Sequence, residues 1–234
     1  MAHPRVRLRP SLTLRHPERV SHLIIYGGFV RGLLHRGDHE KQKEVLDLSR
    51  ALIRSGWGSD HESYRQFFTS QFIPRGTTAQ HHSLNEMQRV ATSPEMAERF
   101  LQTIADIDVT ELLPKVKTPT LVLHARGDLR APFAFAQEIA AAIPGAKLIS
   151  LESSNHLIMP DEPSNRVMFD AISDFLGEKR IRGSLPGTTT LTVRLETKAK
   201  AIEQSWIIKM VIVLAALTGC FLFALEMWKL WKPH

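Results

Sequence analysis

Cysteine is almost missing from this chain: Cys220 stands alone among 234 residues. One thiol excludes an internal disulfide framework and any zinc site built on cysteine. No internal repeat or low-complexity tract appears, which excludes a solenoid or fibrous design. No glycine-rich phosphate loop is present either, because Gly27-Gly28 lacks the rest of either nucleotide-binding fingerprint. The first twenty residues are rich in Arg and Pro and hold no apolar run of the kind a secretory signal needs. A basic stripe on the folded body is also lacking. The net charge is +6, but Ser21 to Gly177 carries 16 Lys and Arg against 19 Asp and Glu, so the excess sits at the two ends. That distribution excludes a nucleic-acid-binding body. With 43% hydrophobic and 23% charged residues, the composition is that of a folded globular chain.

What is present begins at the C-terminal end. Met210 to Leu225 contains no charged residue, and 206–228 contains only Lys209 and Glu226. As a helix those 23 residues would run roughly 34 Å, enough to cross a hydrocarbon core about 30 Å thick. Trp206, Trp228 and Trp231 flank the run, where an interfacial aromatic belt would lie. The pattern predicts one transmembrane helix over 206–228 with a six-residue tail, 229–234, and so a bilayer as partner. Before it, 178–205 reads as a linker, with Gly183 to Thr192 rich in Gly, Pro and Thr.

The middle alternates between strand and helix patterns. Val20–Tyr26, Thr120–Ala125 and Ala146–Leu151 are short apolar runs bounded by Gly and Pro, the composition of buried strands. Phe135, Ile139 and Ile143 are spaced four apart between the last two runs, so a helix joins them. Strand, helix and strand at this spacing predict a parallel α/β sheet. Glu40–Ser55, Tyr64–Phe72, Gln80–Ala91 and Pro94–Ala105 read as helices, an all-helical insertion between the first two strands. Ser164–Leu176 reads as a further amphipathic helix.

Ligands of open parallel sheets bind beyond the carboxyl ends of the strands. Asp128 lies there after Thr120–Ala125, and His156 lies there after Ala146–Leu151. An acid that orients a histidine, each on the loop after its own strand and 28 residues apart, is two-thirds of a nucleophile–base–acid triad. Other constellations are weaker. His35 with His39, and His81 with His82, have no carboxylate completing a metal set, and Phe67, Phe68 and Phe72 read as core of the helical insertion. No metal or cofactor is expected.

Three segments together resemble the α/β-hydrolase superfamily. His16-Pro17-Glu18-Arg19-Val20 through Tyr26-Gly27-Gly28 resembles the strand that follows the nucleophile helix. Pro119 to Asp128, PTLVLHARGD, resembles the strand bearing the acid, and Asn155-His156 resembles the histidine loop. Gly56 to Asp60, Thr92 to Glu95 and Asp106 to Val109 resemble a branch attached to bacterial signalling modules such as LuxR-type regulators or adenylate cyclases. The resemblance covers about 16–177, with 29–108 as helical cap and 1–15 as an atypical Arg/Pro-rich lead. It implies a truncated α/β-hydrolase fold, Asp128 as orienting acid, His156 as general base, and a small acyl or ester substrate.

The superfamily sets its nucleophile in a G-x-S-x-G elbow, and these 234 residues contain none. Ser11, the one serine before Ser21, has Pro10 before it and no flanking glycine. The expectation is therefore an acid and a base without a nucleophile, in a protein inactive as this chain. That would be a shortened or frame-shifted relative of a longer hydrolase, or one whose reading frame is started too late, held at a membrane with its folded domain in the cytoplasm. The alternative is a non-catalytic ligand-sensing or interaction subunit whose membrane helix packs against a membrane-protein partner.

Overall fold

The computed structural model describes residues 10–177. The linker and membrane span expected at 178–205 and 206–228 lie outside them, and among the described residues no helix is long and apolar enough to cross a membrane.

Three parallel strands, β1 (Leu23–Tyr26), β2 (Thr120–Ala125) and β3 (Lys147–Leu151), lie in the order β1-β2-β3. Leu23 pairs with Thr120, and Leu121 pairs with Lys147. β1 is shorter than the apolar run that suggested it. Pro17–Arg19 forms a 3-10 turn, and pairing starts only where β2 begins, just after Pro119. All six residues of β2 are buried, as expected of a strand flanked on both edges and covered on both faces.

Seven α-helices complete the described part. Helix α1 (Pro10–Arg15) leads into β1. Between β1 and β2 run α2 (His39–Gly56), α3 (Ser63–Phe72), α4 (Thr78–Ala91) and α5 (Pro94–Ala105). Helix α6 (Phe133–Ala142) joins β2 to β3, and α7 (Pro163–Phe175) follows β3. The sheet faces divide the core by strand alternation. Ile25 and Val122 point to one face and pack with Ala136, Ile139 and Ile143 of the α6 segment. Ile24, Leu121, Leu123 and Leu151 point to the other and meet Met168, Ala171, Ile172 and Phe175 of α7. The result is a three-layer α/β/α arrangement around parallel strands.

The helices between β1 and β2 have their own local logic. Asp38 caps α2 by accepting from the backbone amides of Glu40 and Lys41. Thr77 and Gln80 form a capping box on α4, and Ser93 before Pro94 caps α5. Ile53, Phe68 and Ala97 make a separate small core with Leu52, Trp57, Phe72 and Leu101 around it. Arg65, fully buried, ties the turns together by donating to the carbonyls of Trp57 (2.9 Å), Ser59 (2.6 Å) and Asn85 (2.9 Å). A buried guanidinium is tolerable only with its donors used in this way. This layer meets the loop after β3, where Leu157 donates to the Phe72 carbonyl and the amide of Arg75 to the Asn155 side chain.

Candidate active site

Beyond the last ladder bonds, β2 and β3 stay in step. The amide of Arg126 donates to the Leu151 carbonyl (2.8 Å), and that of Gly127 to Ser153 (2.9 Å). Gly127 is required here because a Cβ would stand 2.8 Å from the Ser154 hydroxyl and 3.2 Å from the Ser153 carbonyl. The two loops are thereby locked side by side, and the two residues singled out by the sequence meet. His156 Nδ1 lies 2.6 Å from Asp128 Oδ2, with both side chains buried.

Each residue is positioned by its own loop. Asp128 Oδ1 accepts from the amides of Arg130 (2.8 Å) and Ala131 (2.9 Å), which leaves Oδ2 for the imidazole. A carboxylate that accepts from Nδ1–H fixes both the tautomer and the ring plane and turns the lone pair of Nε2 outward. On the other side, Glu162 organises the turn that carries His156. Its carboxylate accepts from the amide of Met159 (2.7 Å), the side chain of Asn155 (2.9 Å) and the hydroxyl of Ser153 (2.5 Å). The Tyr26 hydroxyl donates to the His156 carbonyl and accepts from the Ile158 amide, so the C-terminal end of β1 grips the same turn.

The free edge of the imidazole faces β1. Gly27 adopts φ of +58°, and a Cβ there would lie 2.8 Å from His156 Cε1 and 3.4 Å from Nε2. Nε2 takes no hydrogen bond among the described residues, whereas Nδ1 is committed to Asp128. Phe72 stands over the ring, with centroids 5.6 Å apart. Its spacing with Phe68 marked it as core of the insertion, and it does border that core, but its ring also faces the histidine. Phe67, by contrast, is exposed to 36%.

His124 is a site neighbour that sequence reasoning passed over. It sits inside β2 with no exposed surface, its Nε2 2.5 Å from the Ala131 carbonyl and 3.4 Å from Asp128 Oδ2. Burial holds its pKa below the usual 6.5, so the ring is neutral and Nε2–H is the donor. Its Nδ1 is buried and has no hydrogen-bond partner among the described residues. Through Ala131 it braces the loop whose amides hold Asp128. The signal was a histidine in a run of otherwise apolar or small residues, four positions before the acid. The other histidine pairs resolve into local contacts. His35 meets Asp106 (3.2 Å), His39 the Leu34 carbonyl (3.1 Å), His81 the Ile73 carbonyl (2.8 Å), and His82 pairs with Glu62. Ser11 falls in α1.

No protein-family profile matches the chain. Its sequence is similar to RutD of Serratia proteamaculans, a protein named for carbamate hydrolysis, at 26% identity over 165 residues, 68% of this chain and 58% of that one. It is also similar to the AB hydrolase superfamily protein YisY of Bacillus subtilis, at 40% identity over 79 residues, 27% of this chain and 30% of that one. The chain thus spans 58% and 30% of the length of these two relatives. In structure it resembles MGS-M2, an alpha/beta hydrolase enzyme from a Medee basin deep-sea metagenome library, with a TM-score of 0.59 and 15% identity over 75% of this chain and 63% of that one. The fold is α/β-hydrolase-like, and the chain is similar in sequence to α/β hydrolases.

The depressed pKa of His124 fixes a pH dependence. As pH falls below 6.5 the unfolded chain takes up this proton before the folded one does, so stability is full above that value and is lost on acidification. Urea unfolding of the wild type should lose up to about 1.4 kcal/mol per pH unit from this group. His124→Gln, which keeps a donor for Ala131, should show a shallower loss between pH about 7 and about 5. Identical slopes would mean that the fold leaves the His124 pKa at its ordinary value.

Proposed function

We propose that this chain carries the acid–base half of an acyl-hydrolase site, with Asp128 orienting His156 and His156 Nε2 as the proton acceptor. The supporting observation is the buried 2.6 Å contact at Nδ1 together with the unengaged Nε2. In such a site a hydroxyl gives its proton to Nε2 as its oxygen attacks the acyl carbon. The same proton passes to the departing oxygen or nitrogen when that bond breaks, and a water molecule repeats the two steps to release the acid. Substrates of the ester and carbamate kind fit this chemistry, and the name of the RutD relative points the same way.

The hydroxyl is the missing part. The 234 residues hold no G-x-S-x-G, and without a nucleophile His156 has nothing to activate. The chain by itself is therefore an inactive hydrolase-like protein in this reading. The absent motif equally favours a second reading, a ligand-sensing or interaction module built on the same fold. In both, residues 206–228 tether the protein to a bilayer by one helix, a proposal that rests on the uncharged run and its flanking tryptophans.

Short-chain p-nitrophenyl esters should be hydrolysed at the same background rate by the wild type and by Ser11→Ala. A loss of tenfold or more in Ser11→Ala would overturn the nucleophile-free reading. Separately, residues 178–234 fused to a soluble reporter should carry it into the membrane fraction and hold it there through carbonate extraction. Release by high salt, which strips only electrostatically held proteins, would refute the tether.

A further inference from the structure

Next to the candidate site lies a cleft that the acid–base pair does not use. Phe29, Leu33 and Arg36 from the segment after β1, Leu101, Ile104 and Ala105 of α5, and Arg130 and Ala131 from the loop after β2 line it. Its empty space is about 440 Å³, part of it open to solvent. Among the described residues the walls are apolar except for two guanidiniums, and no carboxylate lines the cleft.

Those two arginines differ from their fellows. Six arginines among the described residues are buried or half-buried: Arg31, Arg36, Arg50, Arg65, Arg89 and Arg130. Four pair with carboxylates, Arg31 with Glu138 (2.6 Å), Arg50 with Glu98 (2.8 Å), and Arg65 and Arg89 with Glu86 (3.4 and 2.8 Å). Arg36 and Arg130 form no ion pair among the described residues, and both line this one cleft. Neither head group is left to wander. The Arg36 guanidinium lies over the rings of Phe29 (4.7 Å) and Phe135 (4.4 Å), and its Nε donates to the Arg31 carbonyl (2.6 Å). Arg130 lies over Phe72 (5.3 Å), and its Nη1 donates to Gln71 (3.2 Å).

Holding two like charges at an apolar cleft costs free energy. Burial and the guanidiniums of Arg130 and Arg31 together push Arg36 down to about 10. Burial also lowers Arg130, against the pull of Asp128, whose own oxygens are taken by His156 and by the amides of residues 130 and 131. An anion placed between the two would remove the repulsion and fill the donors that remain.

We infer that the cleft formed by Arg36, Arg130, Phe29 and Leu101 binds the carboxylate of a small molecule whose remaining body is apolar. The aromatic and aliphatic walls take the body, and the preset guanidiniums take the charge. Whether that carboxylate belongs to a substrate rests on the acyl-hydrolase reading, but the binding itself does not.

Hexanoate, hexanamide and inorganic phosphate titrated into the full chain in detergent, followed by amide NMR shifts, separate the cases without any turnover. Hexanoate should bind and shift residues of α5 and of the 128–131 loop, while hexanamide and phosphate bind about tenfold more weakly or not at all. Arg36→Gln and Arg130→Gln should each weaken hexanoate by about tenfold, the scale of one charge-assisted contact. Arg36→Lys should recover part of the loss while leaving the unfolding midpoint unchanged. Equal affinity for hexanoate and hexanamide, or hexanoate binding that survives both Gln variants, would overturn the assignment. So would phosphate binding as tight as hexanoate, or no hexanoate binding at all. Hexanoate binding by a protein in which Asp128→Asn and His156→Gln prove energetically additive would uphold the cleft while removing the hydrolase reading.

Discussion

The carboxylate of Asp128 is where the loops of this structure converge. A buried carboxylate must have its lone pairs engaged, and here they are divided cleanly. Oδ1 is held by two backbone amides of its own loop, and Oδ2 by the imidazole of the neighbouring loop. The division works only if β2 and β3 end in register, which the Arg126–Leu151 and Gly127–Ser153 bonds ensure. It also needs the 128–131 turn to stay closed, and His124 secures that by donating to Ala131 from inside the strand. Remove the carboxylate, and two amides and an imidazole lose their common partner.

The same contact orders the layers around it. Because His156 is fixed from β2, its free edge must face the end of β1, and only a glycine with positive φ leaves room there. The helical layer then approaches through Phe72, over the histidine, and through Arg75, bound to Asn155. That approach leaves the cleft beside α5, with its two unpaired guanidiniums, opening next to the acid–base pair. Sheet, site and cleft are thus successive consequences of three strands ending on one side.

Much of this was legible in the sequence because it depends on local patterns. Six residues of β2 in an apolar run between Pro119 and the Arg126-Gly127-Asp128 turn can only be a buried strand, and an acid and a histidine after consecutive strands of a parallel sheet must be close. What could not be read depends on long-range geometry. The role of Phe72 requires knowing which way α3 faces. The bracing by His124 depends on the return of the 128–131 loop. Arg36 and Arg130 are 94 positions apart, and nothing in their immediate neighbours marks them as sharing a cleft. The start of β1 was misjudged for a simpler reason: an apolar run extends as a strand only as far as a partner strand accompanies it.

The geometry makes Asp128 and His156 coupled partners through a buried hydrogen bond rather than mere neighbours. Unfolding free energies of the wild type, Asp128→Asn, His156→Gln and the double variant form a cycle that measures this coupling alone. A charge-assisted buried contact predicts a coupling of about 1.5–3 kcal/mol. Additivity of the two single substitutions to within about 0.5 kcal/mol would contradict it and remove the physical basis for the site.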